Sequence, residues 1–117
     1  MLDQKPVDKI AIIDFDGTLC KFEFPKVGPP EPGVKRAIER LKEKGYTIKI
    51  HSCRTAEYWG DANERRIHIE LILKFLADND IPYDELIVDM DKPIADVYID
   101  DRAIRYNGNW ENIVDKL

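Results

Sequence analysis

The feature that most constrains the fold is an uninterrupted apolar run over residues 10–13 that ends at an acid, in the order Ile-Ala-Ile-Ile-Asp. Because the run has no polar alternation, it is typical of a strand buried on both faces of a parallel sheet. Side chains alternate along an extended segment, so we expect Asp14 and Asp16 to point to one side while Phe15 turns back into the core. Gly17 then permits the tight turn that takes the chain away from the sheet. Two carboxylates held so close together favour a divalent cation or a shared proton.

Strand and helix patterns alternate along the rest of the chain. Apolar residues at helical spacing, with stop signals after them, predict helices over about 34–44, about 62–79 and from about 109 onwards. Short apolar runs predict strands over 46–50, 86–88, 95–99 and, more briefly, 104–106. Residues 20–33 are rich in proline and glycine, and the polar and apolar alternation over 21–24 suggests a short flap or hairpin arm. Alternating strands and helices predict a single α/β domain over 1–117, with a doubly wound parallel sheet.

Several polar residues follow directly after predicted strands. Ser52 and Arg54 follow the strand at 46–50, and Asp100 and Asp101 follow the strand at 95–99. In open parallel sheets, ligands bind at the carboxyl ends of the strands. We therefore expect a site at this edge, formed together with the acids that follow the first strand.

The string Asp-Phe-Asp-Gly-Thr-Leu over residues 14–19, placed after a hydrophobic strand, resembles the first signature of the haloacid dehalogenase (HAD) superfamily. Most members of that superfamily are magnesium-dependent phosphatases. The resemblance implies a Rossmann-like sheet of order 5-4-1-2-3, in which the fourth strand lies beside the first. Ser52 then matches the second motif, and the acid pair Asp100-Asp101 matches the fourth.

The resemblance also implies a role for each acid. Asp14 is the expected nucleophile, which forms an aspartyl phosphate, and Asp16 is the expected general acid and base. The family's Mg²⁺ would bind the Asp14 carboxylate, the Asp16 backbone carbonyl and either Asp100 or Asp101. Oxygen ligands of this kind suit magnesium better than zinc.

Three further residues are candidates for contacts with the phosphate group. Ser52 is expected to donate a hydrogen bond to a phosphate oxygen. Arg54 has two interpretations, a forked contact with phosphate or an ion pair with a neighbouring acid. Lys92 is the candidate for the motif-three lysine that neutralises Asp14 and the phosphate, although residues 92–95 leave no room for the helix that this lysine begins in many members of the family.

The intervals in which HAD phosphatases often carry a cap domain contain only loops and one helix here, so the chain resembles a capless member. Capless members have an open site and are often oligomeric, which makes a homo-oligomer plausible. The expected substrate is a small phosphorylated metabolite, such as a sugar phosphate or a nucleotide. The alternatives are a phosphatase acting on nucleic-acid ends and an inactive phosphate-binding or scaffold protein of the same fold.

Composition limits the other classes of function. A net charge of −5 argues against broad charge-driven binding to nucleic acid. No apolar stretch is long enough to span a bilayer and the N-terminus lacks a signal peptide, so a cytoplasmic location is expected. For the same reason Cys20 and Cys53 are expected to be reduced.

Other motifs support weaker hypotheses. Receiver domains of two-component signalling carry their acid pair after the first strand and the phosphorylated aspartate after the third, which is not the order found here. Asp89 and Asp91 are expected in a solvated loop, whereas Tyr58 and Trp59 would stack on a substrate, lie in a subunit interface or pack against the core. The cysteines and histidines have spacings unlike those of common zinc sites, namely Cys20, His51, Cys53 and His68.

Overall fold

The computed structural model describes residues 9–55, 61–88, 95–105 and 107–116. The strands are β1 (Lys9–Asp14), β2 (Cys20–Glu23), β3 (Lys26–Pro30), β4 (Tyr46–His51), β5 (Glu85–Ile87) and β6 (Val97–Ile99). The helices are α1 (Val34–Glu43), α2 (Ala62–Asp78) and α3 (Trp110–Lys116), and a short 3-10 turn covers Cys53–Thr55. The predicted α/β class is therefore confirmed.

A four-stranded parallel sheet forms the centre of the domain. Its strands lie in the order β5-β4-β1-β6, with β1 pairing with β4 on one side and with β6 on the other. Three consecutive side chains of β1, Ala11, Ile12 and Ile13, are buried. Because neighbouring side chains point to opposite faces of a strand, both faces of β1 are covered, as the apolar run predicted.

The fifth strand expected over 104–106 is not formed in the part of the chain that the structure describes. Ile104 and Arg105 lie outside any strand, and Tyr106 lies outside the described residues. The full five-stranded order therefore stays a prediction. Within the sheet that is described, β1 has β6 as its neighbour, and this arrangement brings the residues after β6 next to those after β1.

Apolar side chains of α1 and α2 complete the core. Ile38 of α1 and Phe75 of α2 belong to the same buried cluster as the sheet residues Ile48 and Ile50. The amino end of α2 is capped by the side chain of Asp61, which accepts a hydrogen bond from the backbone N–H of Glu64 at 2.9 Å. The predicted bounds of both helices agree with the structure to within about two residues.

Strands β2 and β3 form an antiparallel hairpin, which confirms the predicted arm. We refer to residues 20–30 as the hairpin arm. Its tip, at Phe24 and Pro25, lies between the two strands. Among the described helices, none is both long enough and apolar enough to cross a membrane.

Candidate active site

Three carboxylates meet at the carboxyl edge of the sheet. β1 ends at Asp14, and its neighbour Ile13 pairs with Ile99, the last residue of β6. Asp100 and Asp101 follow immediately. Each of these three aspartates offers a carboxylate oxygen, and the oxygens all lie within 4.8 Å of one another. The expected meeting of Asp14 with the late acid pair is therefore present in the structure.

Burial and the two neighbouring acids strongly shift the pKa of Asp14. Its partial burial, together with the negative charges of Asp100 and Asp101, raises the pKa of Asp14 from its ordinary value of 3.8 to about 7. A hydrogen bond with the Asp101 side chain acts in the same direction. Crowding of like charges at a partly exposed position is relieved when a cation binds, so the cluster has the electrostatics of a cation site.

The turn after β1 makes room for one of these acids. Gly17 has a φ of +83°, in the left-handed region that favours glycine. A Cβ atom at this position would lie 2.9 Å from Cγ of Asp101, much closer than carbon atoms approach in ordinary contacts. Asp101 therefore packs directly on the glycine of the first motif. Asp100 is oriented differently, since its Oδ1 accepts a hydrogen bond from the backbone N–H of Arg102 at 2.8 Å.

Asp16 does not join the acid cluster. Its side chain is 8% exposed and faces the guanidinium of Arg54, which is fully buried at 0% exposure. Arg54 donates from Nε to Oδ2 of Asp16 at 2.6 Å and from NH2 to Oδ1 at 2.7 Å. Both oxygens of the expected general acid and base are thus engaged by one forked ion pair. The backbone of Asp16 remains beside Asp14 in the chain, where a carbonyl ligand is expected.

The remaining contacts of Arg54 fasten the hairpin arm. Its guanidinium donates to the backbone carbonyls of Pro25 at 2.7 Å and Lys26 at 2.6 Å. The ring of Phe24 lies 4.9 Å from the guanidinium carbon and also stacks on His68 of α2, with ring centroids 5.8 Å apart. His68 Nδ1 is 3.4 Å from NH1 of Arg54. Burial and the adjacent Arg54 charge lower the pKa of His68.

These contacts bear on the two interpretations of Arg54, a fork onto phosphate and an ion pair with a neighbouring acid. The guanidinium is buried and its donors are occupied by Asp16 and the arm, so the ion-pair interpretation is the one that the structure contains. Sequence reasoning missed the anchoring of the arm. Because the acceptors at the tip are backbone carbonyls, which every residue has, side-chain identity gave no signal for them.

Ser52 lies at the carboxyl end of β4, directly after the strand. It is 3% exposed, and its Oγ accepts a hydrogen bond from the backbone N–H of Arg54 at 3.1 Å. Its backbone carbonyl accepts hydrogen bonds from the backbone N–H and the side-chain hydroxyl of Thr55, at 3.4 Å and 3.0 Å. These bonds fix the turn after β4 and leave the hydroxyl hydrogen of Ser52 as a donor.

A second contact joins the arm to the loop after β6. The Arg102 guanidinium lies 5.3 Å from the centre of the Phe22 ring, and Phe22 is 56% exposed. Arg102 is also 4.0 Å from Asp101, at the outer limit of an ion pair.

Some of the predicted positions lie outside the described residues, namely Lys92, Tyr58, Trp59, Asp89 and Asp91. Their roles stay predictions. Both cysteines are free thiols, as expected, with Cys20 buried and Cys53 exposed. Within the described ranges, the group of residues close enough together to hold a metal consists of aspartates alone and includes no cysteine or histidine.

The chain was compared with known proteins. No model of a known protein family matches it, and no curated protein matches it. Among solved structures, a conserved protein from Bacteroides thetaiotaomicron is similar to 93% of this chain over 88% of its own length, with 18% identity and a TM-score of 0.61. A structural-genomics target from Vibrio cholerae is similar to 92% of this chain over 98% of its own length, with 29% identity and a TM-score of 0.55.

A chain of a Pnkp1/Rnl/Hen1 complex also matches, over 99% of this chain and 37% of its own length, with 21% identity. Its TM-score of 0.41 is too low to support an argument. The first two structures show that the α/β architecture is shared over nearly the whole chain. Neither description states a function, so the chemistry has to be argued from the site.

Proposed function

We propose that this protein is a magnesium-dependent phosphomonoester hydrolase of the HAD type, with Asp14 as its nucleophile. The observation on which the proposal rests is the carboxylate cluster. Asp14 ends the central strand and lies with Asp100 and Asp101 within 4.8 Å, directly before the turn that the Asp-Phe-Asp-Gly-Thr-Leu string forms. The buried hydrophobic strand, the acid that ends it and the glycine turn after it support this proposal.

The donor set fits a hard divalent cation. Carboxylate and carbonyl oxygens without sulfur or imidazole are the ligands that Mg²⁺ prefers. Asp14, the backbone carbonyl of Asp16, and Asp100 or Asp101 would hold the ion. When bound, Mg²⁺ offsets the repulsion between the anionic nucleophile and the anionic phosphate.

In the proposed reaction, a carboxylate oxygen of Asp14 attacks the phosphorus atom of the substrate. The bond from phosphorus to the leaving oxygen breaks, the electron pair leaves with that oxygen, and a proton from the Asp16 carboxyl group neutralises it. Asp16 then takes a proton from water, which attacks the aspartyl phosphate, releases inorganic phosphate and restores Asp14. The fork from Arg54 fixes the orientation of the Asp16 side chain.

Two further side chains have roles in this proposal. Ser52 donates its hydroxyl hydrogen to a phosphate oxygen, which the positions of its other hydrogen bonds allow. Lys92 neutralises Asp14 and the phosphate. The proposed substrate is a small phosphorylated metabolite, such as a sugar phosphate or a nucleotide, which would reach an acid cluster in which Asp100 and Asp101 are exposed.

The proposal is tested by phosphate release from p-nitrophenyl phosphate with Mg²⁺ and with excess EDTA. Asp14→Asn removes the nucleophile while preserving its shape, and Asp115→Asn, on the exposed face of α3, is the matched control. We expect Mg²⁺-dependent release in the wild type and in the control, and a loss of at least about 10³-fold in Asp14→Asn.

Activity that persists in Asp14→Asn or in EDTA would contradict the assigned nucleophile or the metal. If the wild type releases no phosphate from this ester or from a panel of phosphorylated metabolites, yet binds orthovanadate and Mg²⁺, the phosphate-binding alternative is favoured instead. Preferential release from a 5′-phosphorylated oligonucleotide would favour the nucleic-acid alternative.

A further inference from the structure

The hairpin arm is attached to the domain through a buried charge. At its tip, the carbonyls of Pro25 and Lys26 accept hydrogen bonds from Arg54, at 2.7 Å and 2.6 Å. Phe24 covers the guanidinium at 4.9 Å and stacks on His68. Arg54 is thus the common partner of the arm tip and of the Asp16 carboxylate, to which its other donors point.

The two sets of contacts depend on each other because Arg54 has no access to water, with 0% exposure. If the arm lifts, the guanidinium loses two acceptors and the ring that covers it. If the ion pair with Asp16 is weakened, the guanidinium loses its counter-charge in a buried position and is drawn towards solvent, away from the arm. A buried cation is retained only while its partners are complete.

The arm also contacts the loop after β6. Phe22, on β2, lies against Arg102, which follows the metal-site candidate Asp101. The arm therefore contacts both the turn after β4 and the loop after β6. An isolated two-stranded hairpin is marginally stable in water, so the arm depends on these contacts for its order.

We propose that Arg54 is a positioning residue that couples the placement of the hairpin arm to the orientation of the Asp16 carboxylate. This inference rests on the proposed function for its catalytic consequence, since Asp16 is there the proton donor. Docking of the arm holds Arg54 in place, and Arg54 in turn fixes the orientation of the Asp16 carboxylate. Arg54 is itself buried and acts through Asp16.

Coupling of this kind is reciprocal, so it is tested from both ends. Asp16→Asn weakens the ion pair, and its effect is measured at the arm as the hydrogen-exchange rates of the amides in β2 and β3. Phe24→Ala loosens the arm tip, and its effect is measured as kcat and KM for p-nitrophenyl phosphate and as Mg²⁺ affinity. Arg65→Gln is the control for both, because Arg65 also anchors a carbonyl, that of Thr55 at 2.9 Å, but makes no hydrogen bond or ion pair with Asp16 in the described structure.

We expect arm amides to exchange at least about tenfold faster in Asp16→Asn than in the wild type or in Arg65→Gln. We expect kcat of Phe24→Ala to fall about tenfold or more, with KM and Mg²⁺ affinity unchanged within about twofold. A purely structural role for Arg54 would instead alter stability without this separation of kcat from KM.

The proposal is overturned if Asp16→Asn leaves the exchange of the arm unchanged, or if Phe24→Ala accelerates exchange in the arm while kcat stays at the wild-type value. Because the exchange comparison needs no turnover, it decides the coupling even if the phosphatase proposal fails, and an inactive wild type would contradict that proposal alone. Phe24→Ala changes a hairpin tip, so it keeps the test available if Asp16→Asn does not fold.

Discussion

Replacing Gly17 with alanine tests whether Asp101 belongs to the metal site. Gly33→Ala is the control for the backbone strain that both substitutions share. Gly17 has a φ of +83° and Gly33 a φ of +79°, so alanine is strained by nearly the same amount at both positions. A left-handed conformation costs an L-residue about 1–2 kcal/mol. Their surroundings differ. A Cβ at Gly33 would meet nothing within 4 Å, whereas one at Gly17 would lie 2.9 Å from Cγ of Asp101.

The size of the displacement follows from that distance. Carbon atoms in good contact are about 3.5–4.0 Å apart, so the Asp101 carboxylate has to move by about 1 Å to admit the methyl group. Metal–ligand distances tolerate only about 0.2 Å, and a shift of this size removes Asp101 from the cluster. We expect Gly17→Ala to weaken Mg²⁺ binding at least about tenfold, with Gly33→Ala close to the wild type.

Isothermal titration calorimetry with Mg²⁺ measures the binding, and urea unfolding in EDTA measures the strain that both variants share. Each should lose about 1–2 kcal/mol of unfolding free energy. If Gly17→Ala bound Mg²⁺ as tightly as Gly33→Ala, Asp101 would have no part in the metal site and the reasoning from the glycine turn would be refuted.

Three further predictions follow from the charges and exposures of single residues. Asp14→Asn should raise the unfolding free energy of the metal-free protein at pH 8 by about 1–2 kcal/mol. A pKa shift from 3.8 to about 7 corresponds to about 4 kcal/mol, and the partial exposure of Asp14 to solvent reduces that figure. The folded wild type keeps the Asp14 carboxyl group protonated to a higher pH than the unfolded chain does. Near pH 3 the group is protonated in both states, so the gain in unfolding free energy should vanish there, as urea titrations in EDTA would show. Iodoacetamide should label Cys53 in the native protein and Cys20 only after unfolding, since Cys53 is exposed and Cys20 is buried; mass spectrometry locates the label. The hydrogen-bonded ion pair with Lys42 lowers the pKa of Asp84, so Asp84→Asn should cost about 1 kcal/mol at pH 7, and this cost should shrink as the pH falls through the lowered pKa; a pH series of thermal unfolding measures this.

Much of the fold could be predicted because each signal was local. The unbroken apolar run of β1 required burial on both faces, and the structure buries Ala11, Ile12 and Ile13. Helical spacing located α1 and α2, and the alternation after Cys20 located the hairpin arm. The strand expected at 104–106 had a much weaker pattern, and the described residues there form none.

Prediction of the site was less complete. Aspartates at the ends of β1 and β6 were expected to meet, and they lie within 4.8 Å because parallel neighbours end at one edge of a sheet. Asp16 was expected at that cluster too, yet its side chain turns to Arg54. Lys92 and its role are not tested by the described residues.

The sequence by itself determined which chemical groups stand at the ends of the strands, because the period of a strand and the stop after it depend on neighbouring residues alone. Tertiary structure decided which partner each group takes. A guanidinium can donate hydrogen bonds to a carboxylate, a carbonyl or a phosphate, and Arg54 lies 38 positions after Asp16 and 29 positions after Pro25 in the sequence. Only the packing of β1, β4 and the arm brings those acceptors to one buried point, and that packing makes Arg54 the partner of Asp16 and of the arm.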